Sequence, residues 1–338
     1  MVSKILGSLL AFSFVALSVG ELKNSISTLY QFPHGAWLEN LETGPFNSIL
    51  ATRLDIPAIY QITNPKSRCG PGAGTPSAKL IRSFPGVTGA LGIAEFKKNH
   101  FAVVVGNFSL ETKEPSAGSY SVWDVWFSGA RSDRVSAKKI SDIPEAGFLN
   151  GLTVLNKHTG TLLIGDSWEG TVYRLNPETG DYKVIHQDET MKPPAGTNLG
   201  LNGIHTVTID RETFLYYTNS LKETLSRVKI DPVNGRAIGP YTTLATGVWG
   251  DDFTYDTATG DIYVTGNFEN IVTKLNRDGL VEKIIGAKTQ LTVAGATSAL
   301  FGENDKILYV ATSGALAAPV NGTITEGAKI VAIQVDQL

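Results

Sequence analysis

NGLTVLNKHTGTLLIGDSWEGTVYRLN, residues 150–176, reads as a short apolar strand, a polar turn, a second strand dense in branched aliphatic residues, a polar corner and a third strand. TLLIGDS has the composition of a fully buried strand, and TVYRLN alternates apolar with polar residues as a strand nearer an edge does. One such unit cannot bury both faces of its sheet, so the next question is whether it recurs.

It recurs five more times. ENLETGPFNSILATRLDIPAIYQI starts at Glu39, LGIAEFKKNHFAVVVGNF at Leu91 and NGIHTVTIDRETFLYYTNSLKETLSRVKI at Asn202. DDFTYDTATGDIYVTGNFENIVTKLN starts at Asp251 and TSALFGENDKILYVATSG at Thr297. Spacings of 46 to 59 residues suit one four-stranded blade each, which predicts an all-β fold, a six-bladed β-propeller around a central channel. Closure of the ring predicts that STLYQFP, around Tyr30, pairs with the blade holding the terminal strand KIVAIQV. No composition shift marks a linker, so residues 21–338 read as one domain, with the Pro/Gly-rich stretch 64–77 inside the first blade.

Residues 1–20, MVSKILGSLLAFSFVALSVG, have Lys4, an apolar stretch from Ile5 to Leu17, and the small residues Ser18 and Gly20. This is the pattern of a secretory signal peptide, and the apolar stretch is short of the roughly 20 residues a membrane span needs. The mature chain is expected to be soluble, without a membrane span, in the secretory pathway and then secreted or vesicular. Sequons at Asn107 and Asn321 fit glycosylation there. Cys69 is the only cysteine, so no disulfide forms within the chain, and with no nearby histidine it reads as a structural thiol. A net charge of −3 without a basic run argues against nucleic acid as a partner.

A propeller starts the innermost strand of every blade on one face, so the first motif residues converge on the axis. Those are Glu39, Leu91, Asn150, Asn202, Asp251 and Thr297. Two carboxylates and two carboxamides suit a hard divalent cation, Ca²⁺ or Mg²⁺, better than zinc; the alternative is that they bond one another and trapped water. His205, three residues after Asn202, is a candidate general acid or base or a structural histidine. Trp37, Phe148, Trp249 and Phe253 flank the motifs, with Phe108, Trp168 and Phe268 near the corners, giving either an apolar rim for a small-molecule substrate or packing between blades. Connections 108–119, 187–200 and 315–326 should lie on the same face and could form a lid. GxSxG, HExxH, CxxC and GxGxxG patterns are missing, which removes support for serine hydrolase, zincin, thioredoxin-like and nucleotide-cofactor chemistry.

ENL at 39–41, NGL at 150–152, NGI at 202–204, DDF at 251–253 and TSALFG at 297–302 resemble the gluconolactonase/senescence-marker-protein superfamily of six-bladed propellers, over essentially the mature chain. The resemblance implies that Glu39, Asn150, Asn202 and Asp251 hold a catalytic divalent metal. YQFPHGAWLENL, VVVGNFSL and LNGLTVL, with the leader, are similar to an exported fungal branch that includes hetero-Diels-Alderases of tropolonic, xenovulene-type sesquiterpenoid biosynthesis. Three readings follow. One is a pericyclase joining a tropolone-derived quinone methide to humulene by holding the two together in an apolar cavity. A second is a metal-dependent lactonase in which Asp251, Glu39 or His205 assists attack by water. The third is a non-catalytic propeller that binds a small molecule or a partner.

Overall fold

In the computed structural model, which describes residues 25–63, 75–129, 134–302 and 306–335, six four-stranded antiparallel sheets form a ring. The leader 1–20 and Cys69 lie outside the described residues. From the axis outward, blade 1 is Leu38–Gly44, Ser48–Arg53, Ala58–Thr63 and Ser77–Ser83, and blade 2 is Gly89–Lys97, His100–Gly106, Ser121–Ser128 and Arg134–Asp142. Blade 3 is Leu149–Asn156, Thr161–Asp166, Thr171–Leu175 and Tyr182–Gln187; blade 4 is Leu201–Ile209, Glu212–Asn219, Thr224–Ile230 and Ala237–Thr246. Blade 5 is Phe253–Tyr255, Ile262–Gly266, Ile271–Leu275 and Val281–Gly286. Blade 6 takes Ala296–Phe301, Ile307–Thr312 and Gly327–Gln334 from the end of the chain and its outer strand, Ile26–His34, from the beginning. Tyr30 pairs with Ile330 in that closure.

Burial explains the composition of the strands. The second strands, such as SILATR and TLLIGD, are covered on both faces by neighbouring blades and accordingly carry consecutive apolar residues at their centres. Outer strands such as Ser77–Ser83 and Arg134–Asp142 are exposed or half-buried at every position and mostly polar. Among the described residues the core is six apolar clusters between neighbouring blades and a small seventh around Ala294, Ala315 and Val320; Leu155, Leu163, Ile204 and Leu215, for example, join blades 3 and 4. Among the described residues no helix is long and apolar enough to cross a membrane.

Candidate functional site

The motif residues lie where five of the six inner strands break register with their neighbours: between Leu38 and Leu41, Ala90 and Ile93, Leu149 and Leu152, Leu201 and Ile204, and Ala296 and Ser298. An irregularity of this kind re-aims the side chain it carries. In blade 5 the strand starts only at Phe253, and Asp251 and Asp252 precede it, tied to Thr265 by backbone bonds of 2.7 and 2.9 Å. The Asn-Gly pairs are therefore not hairpin turns here. A Cβ on Gly151 would stand 2.4 Å from the Asn202 carbonyl, and one on Gly203 would stand 2.6 Å from the Asp252 Cα, so glycine allows adjacent inner strands to approach.

Glu39, Asn150, Asn202 and Asp251 are 4 to 7% exposed. Asn202 Nδ2 donates to Asp251 Oδ1 at 2.7 Å and to Ser220 Oγ at 2.9 Å, which leaves the amide oxygen for another partner. Trp37 Nε1 donates to Glu39 Oε2 at 2.6 Å. No protein group among the described residues bonds the Asn150 carboxamide. Burial pushes Glu39 up to about 7, against the Trp37 bond and with help from the Asp252 charge. Burial and then the Glu39 charge hold Asp251 well above the usual carboxylate range, although Asn267 and Asn202 donate to it. These are the properties of an oxygen-donor set that a divalent cation would satisfy: two repelling buried carboxyls, one free amide oxygen and one unpartnered carboxamide. Among the described residues no three His, Cys, Asp or Glu side chains are arranged to ligate one ion, so a cation at the hub requires Asn150 and Asn202 as well.

One position further along each motif stand Asn40, Gly92, Gly151, Gly203, Asp252 and Ser298. The polar members form a second layer. Ser298 Oγ lies 3.2 Å from both Asn40 Oδ1 and Asp252 Oδ2, and Asp252 Oδ1 lies 3.1 Å from His205 Nε2. The His205 side chain remains 34% exposed. Burial works against a charged ring there, but the Asp252 charge and hydrogen bond, with Glu42, raise its pKa overall. Sequence reasoning passed over Asn40, Asp252 and Ser298, although the second letters of ENL, DDF and TSALFG carry them.

The other expected residues divide. Thr297 is 1% exposed and donates to the Leu38 carbonyl at 2.9 Å, so it joins blades 6 and 1. Phe253 is fully buried in the cluster between blades 4 and 5, edge-on to His205 at 4.7 Å. Trp37 and Phe148 are buried, whereas Trp249 is half-buried against Phe268 at 4.7 Å, and Phe268 and Trp168 are exposed. Antiparallel strand order puts the connections 107–120, 188–200 and 313–326 on the motif-bearing face. They meet there: Phe108, Leu110, Leu199, Leu316 and Ala317 pack against the cluster that holds Trp37 and Phe148, Lys113 Nζ donates to the Leu316 carbonyl at 3.3 Å, and Asn198 bonds Glu114. An apolar roof of three connections thus stands on the same face as the polar floor at the hub. Of the two sequon residues, Asn321 is exposed at the tip of a tight turn in this roof, and Asn107 is half-buried at its base.

No family model matches the chain. It is 26% identical, over 83% of its length and 85% of the relative's, to a curated protein of Phoma sp. named as a candidate hetero-Diels-Alderase. A second protein so named, from Sarocladium schorii, is 23% identical over 83% of this chain and 76% of its own length. Among solved structures, a luciferin-regenerating enzyme superposes with a TM-score of 0.65 at 13% identity, covering 91% of this chain and 94% of the other. The calcium-binding protein regucalcin of Agrobacterium tumefaciens gives 0.61 at 14% (91% and 93% covered), and a gluconolactonase of Xanthomonas campestris 0.57 at 13% (91% and 89%). The structural likenesses establish the fold, and the curated relatives are those of the fungal resemblance read from the sequence.

Proposed function

We propose that this chain is a hetero-Diels-Alderase that joins a tropolone-derived quinone methide to humulene. The observation that carries the reading is the pairing of two curated relatives so named with an apolar roof beside a polar hub. The cycloaddition forms one C–C bond at the exocyclic carbon and one C–O bond at the carbonyl oxygen, across one double bond of the triene. No atom, proton or electron leaves, so no nucleophile is needed. The roof would hold the hydrocarbon against the heterodiene, and the shared position would replace a bimolecular encounter. Glu39, Asn150, Asn202 and Asp251 would hold a Ca²⁺ or Mg²⁺ ion, which when bound supplies polarisation of a carbonyl oxygen. His205, with Asp252 behind it, would offer a hydrogen bond or a proton deeper in the channel. Removal of residues 1–20 and a glycan on Asn321 in preference to Asn107 complete the proposal for an exported protein.

Purified protein given the quinone methide precursor and humulene should form a single stereoisomer of the dihydropyran faster than buffer does. An unaccelerated, racemic product would refute the reading. A second reading, a divalent-metal lactonase, is favoured by the two buried carboxyls of raised pKa at the hub. Chelator-sensitive hydrolysis across a panel of lactones would establish it in place of the first.

A further inference from the structure

Lys113 lies at the turn of the connection between the second and third strands of blade 2, in the left-handed backbone region at φ 62°. Its ammonium crosses in front of blade 1 to the Leu316 carbonyl of blade 6 and lies 5.3 Å from the centre of the Trp37 ring. The Nε1–H at the edge of the same indole is bonded to Glu39, so one tryptophan touches both a cation of the roof and a carboxyl of the floor. Among the described residues Lys113 forms no ion pair; the adjacent carboxylate, Glu114, is engaged by Asn198. One neutral carbonyl and one π face leave at least one of the three donors of the ammonium for a further partner. Lys113 is an exposed residue, so a ligand can reach it, and the partial burial it does have lowers its pKa.

We infer that Lys113 is a recognition residue for an oxygen atom of the bound molecule, with a conjugated carbonyl or phenolate as the group recognised and the surrounding roof taking its hydrocarbon. A partly desolvated ammonium bonds a charged or polarised oxygen more strongly than a fully hydrated one does, and the apolar residues of the roof nearby reward the rest of an amphiphilic ligand. On the cycloaddition reading, on which this assignment rests for its substrate, the bond fixes the orientation of the heterodiene oxygen and withdraws electrons from it.

Equilibrium binding of two probes, tropolone and humulene, followed by quenching of tryptophan fluorescence, tests the assignment. Lys113→Met should weaken tropolone about tenfold or more while leaving humulene unchanged. Lys113→Arg, which keeps the charge, should stay within about threefold of the wild type. Equal weakening of both probes would mean that Lys113 merely props the roof, and unchanged tropolone binding, or none by the wild type, would overturn the inference. Adduct assays on the same variants separate it from the proposed function: tropolone binding that depends on Lys113 without any adduct would remove the function and keep the residue's role. Full-rate adduct formation by Lys113→Met would do the reverse.

Discussion

Glu39, Asn150, Asn202 and Asp251 reach the axis from four blades at one phase of a repeat, whereas Phe108, Leu110, Lys113, Leu199 and Leu316 come from three connections that share no sequence pattern. The floor sits on strands bonded into their own blades, whose neighbours approach across glycine and are tied across blades 4 and 5 by the Gly203 N–H to the Asp251 carbonyl at 2.9 Å. The roof is held by side-chain packing and a few long-range bonds, and it contains Lys113, Ala315 and Asn321 in the left-handed backbone region. Sheet closure therefore decides where the oxygen donors stand, and the connections decide what shape of molecule can lie beside them. Substitutions in the floor should alter chemistry, and substitutions in the roof should alter selection.

The change expected to break both regions together is Asp166→Ala. Asp166 is fully buried at the second corner of blade 3 and accepts backbone N–H bonds from Gly147, Phe148, Trp168 and Glu169, at 2.9 to 3.1 Å. It fixes the chain just before Asn150, in the floor, and at Phe148, on which Phe108 of the roof stacks at 5.6 Å. Orphaning those donors should cost about 3 kcal/mol, read as a lower urea midpoint at constant slope. Next in size is Asp251→Ala, which should remove calorimetrically detectable Ca²⁺ binding and lower turnover about a hundredfold. Turnover unaffected by loss of the ion would confine the floor to structure.

How far each region was legible in the sequence follows the same division. The six blades and their closure were readable because strand composition and motif phase repeat, and a period survives the loss of any single signal. Convergence of Glu39 with Asn202 and Asp251 followed from that phase alone. Which of the two readings each flanking residue takes was not legible, for a physical reason: near an irregular strand start, alternate side chains point to the axis and into the blade interface, and the sequence does not say at which residue the alternation slips. Phe253 accordingly packs between blades and the Thr297 hydroxyl bonds across them. Lys113 had no signal at all, since its position depends on where two non-repeating loops meet.

Phe108→Ala sharpens the contrast at a smaller scale. It removes the ring stacked on Phe148 without touching the floor, so KM for humulene should rise about tenfold with kcat nearly unchanged. The floor should respond to pH instead. A cation must displace the proton that Glu39 keeps below about pH 7, so Ca²⁺ affinity should fall by up to about tenfold per pH unit on the acid side of that value. In the cation-free protein the sign reverses. A folded-state value raised from 4.5 to about 7 favours the protonated fold, so this group's contribution to stability is fully present below pH 4.5 and is lost as pH rises through 7. Chemical denaturation at pH 5 and pH 8, with and without Ca²⁺, measures both slopes.

Thr297→Val makes the smallest change and draws the boundary of the floor. The Thr297 hydroxyl donates to the carbonyl of Leu38, the residue before Glu39, and the Thr297 carbonyl accepts from Thr265 Oγ1 at 2.9 Å, so this residue links blades 5, 6 and 1 at the hub. Valine keeps the shape and removes one buried donor, which should cost about 1 kcal/mol of stability. If Thr297 only joins blades, Ca²⁺ affinity and turnover should match the wild type once both proteins are fully folded. A loss of turnover at unchanged stability would instead put the hydroxyl against the ligand, and the floor would then draw on a fifth blade.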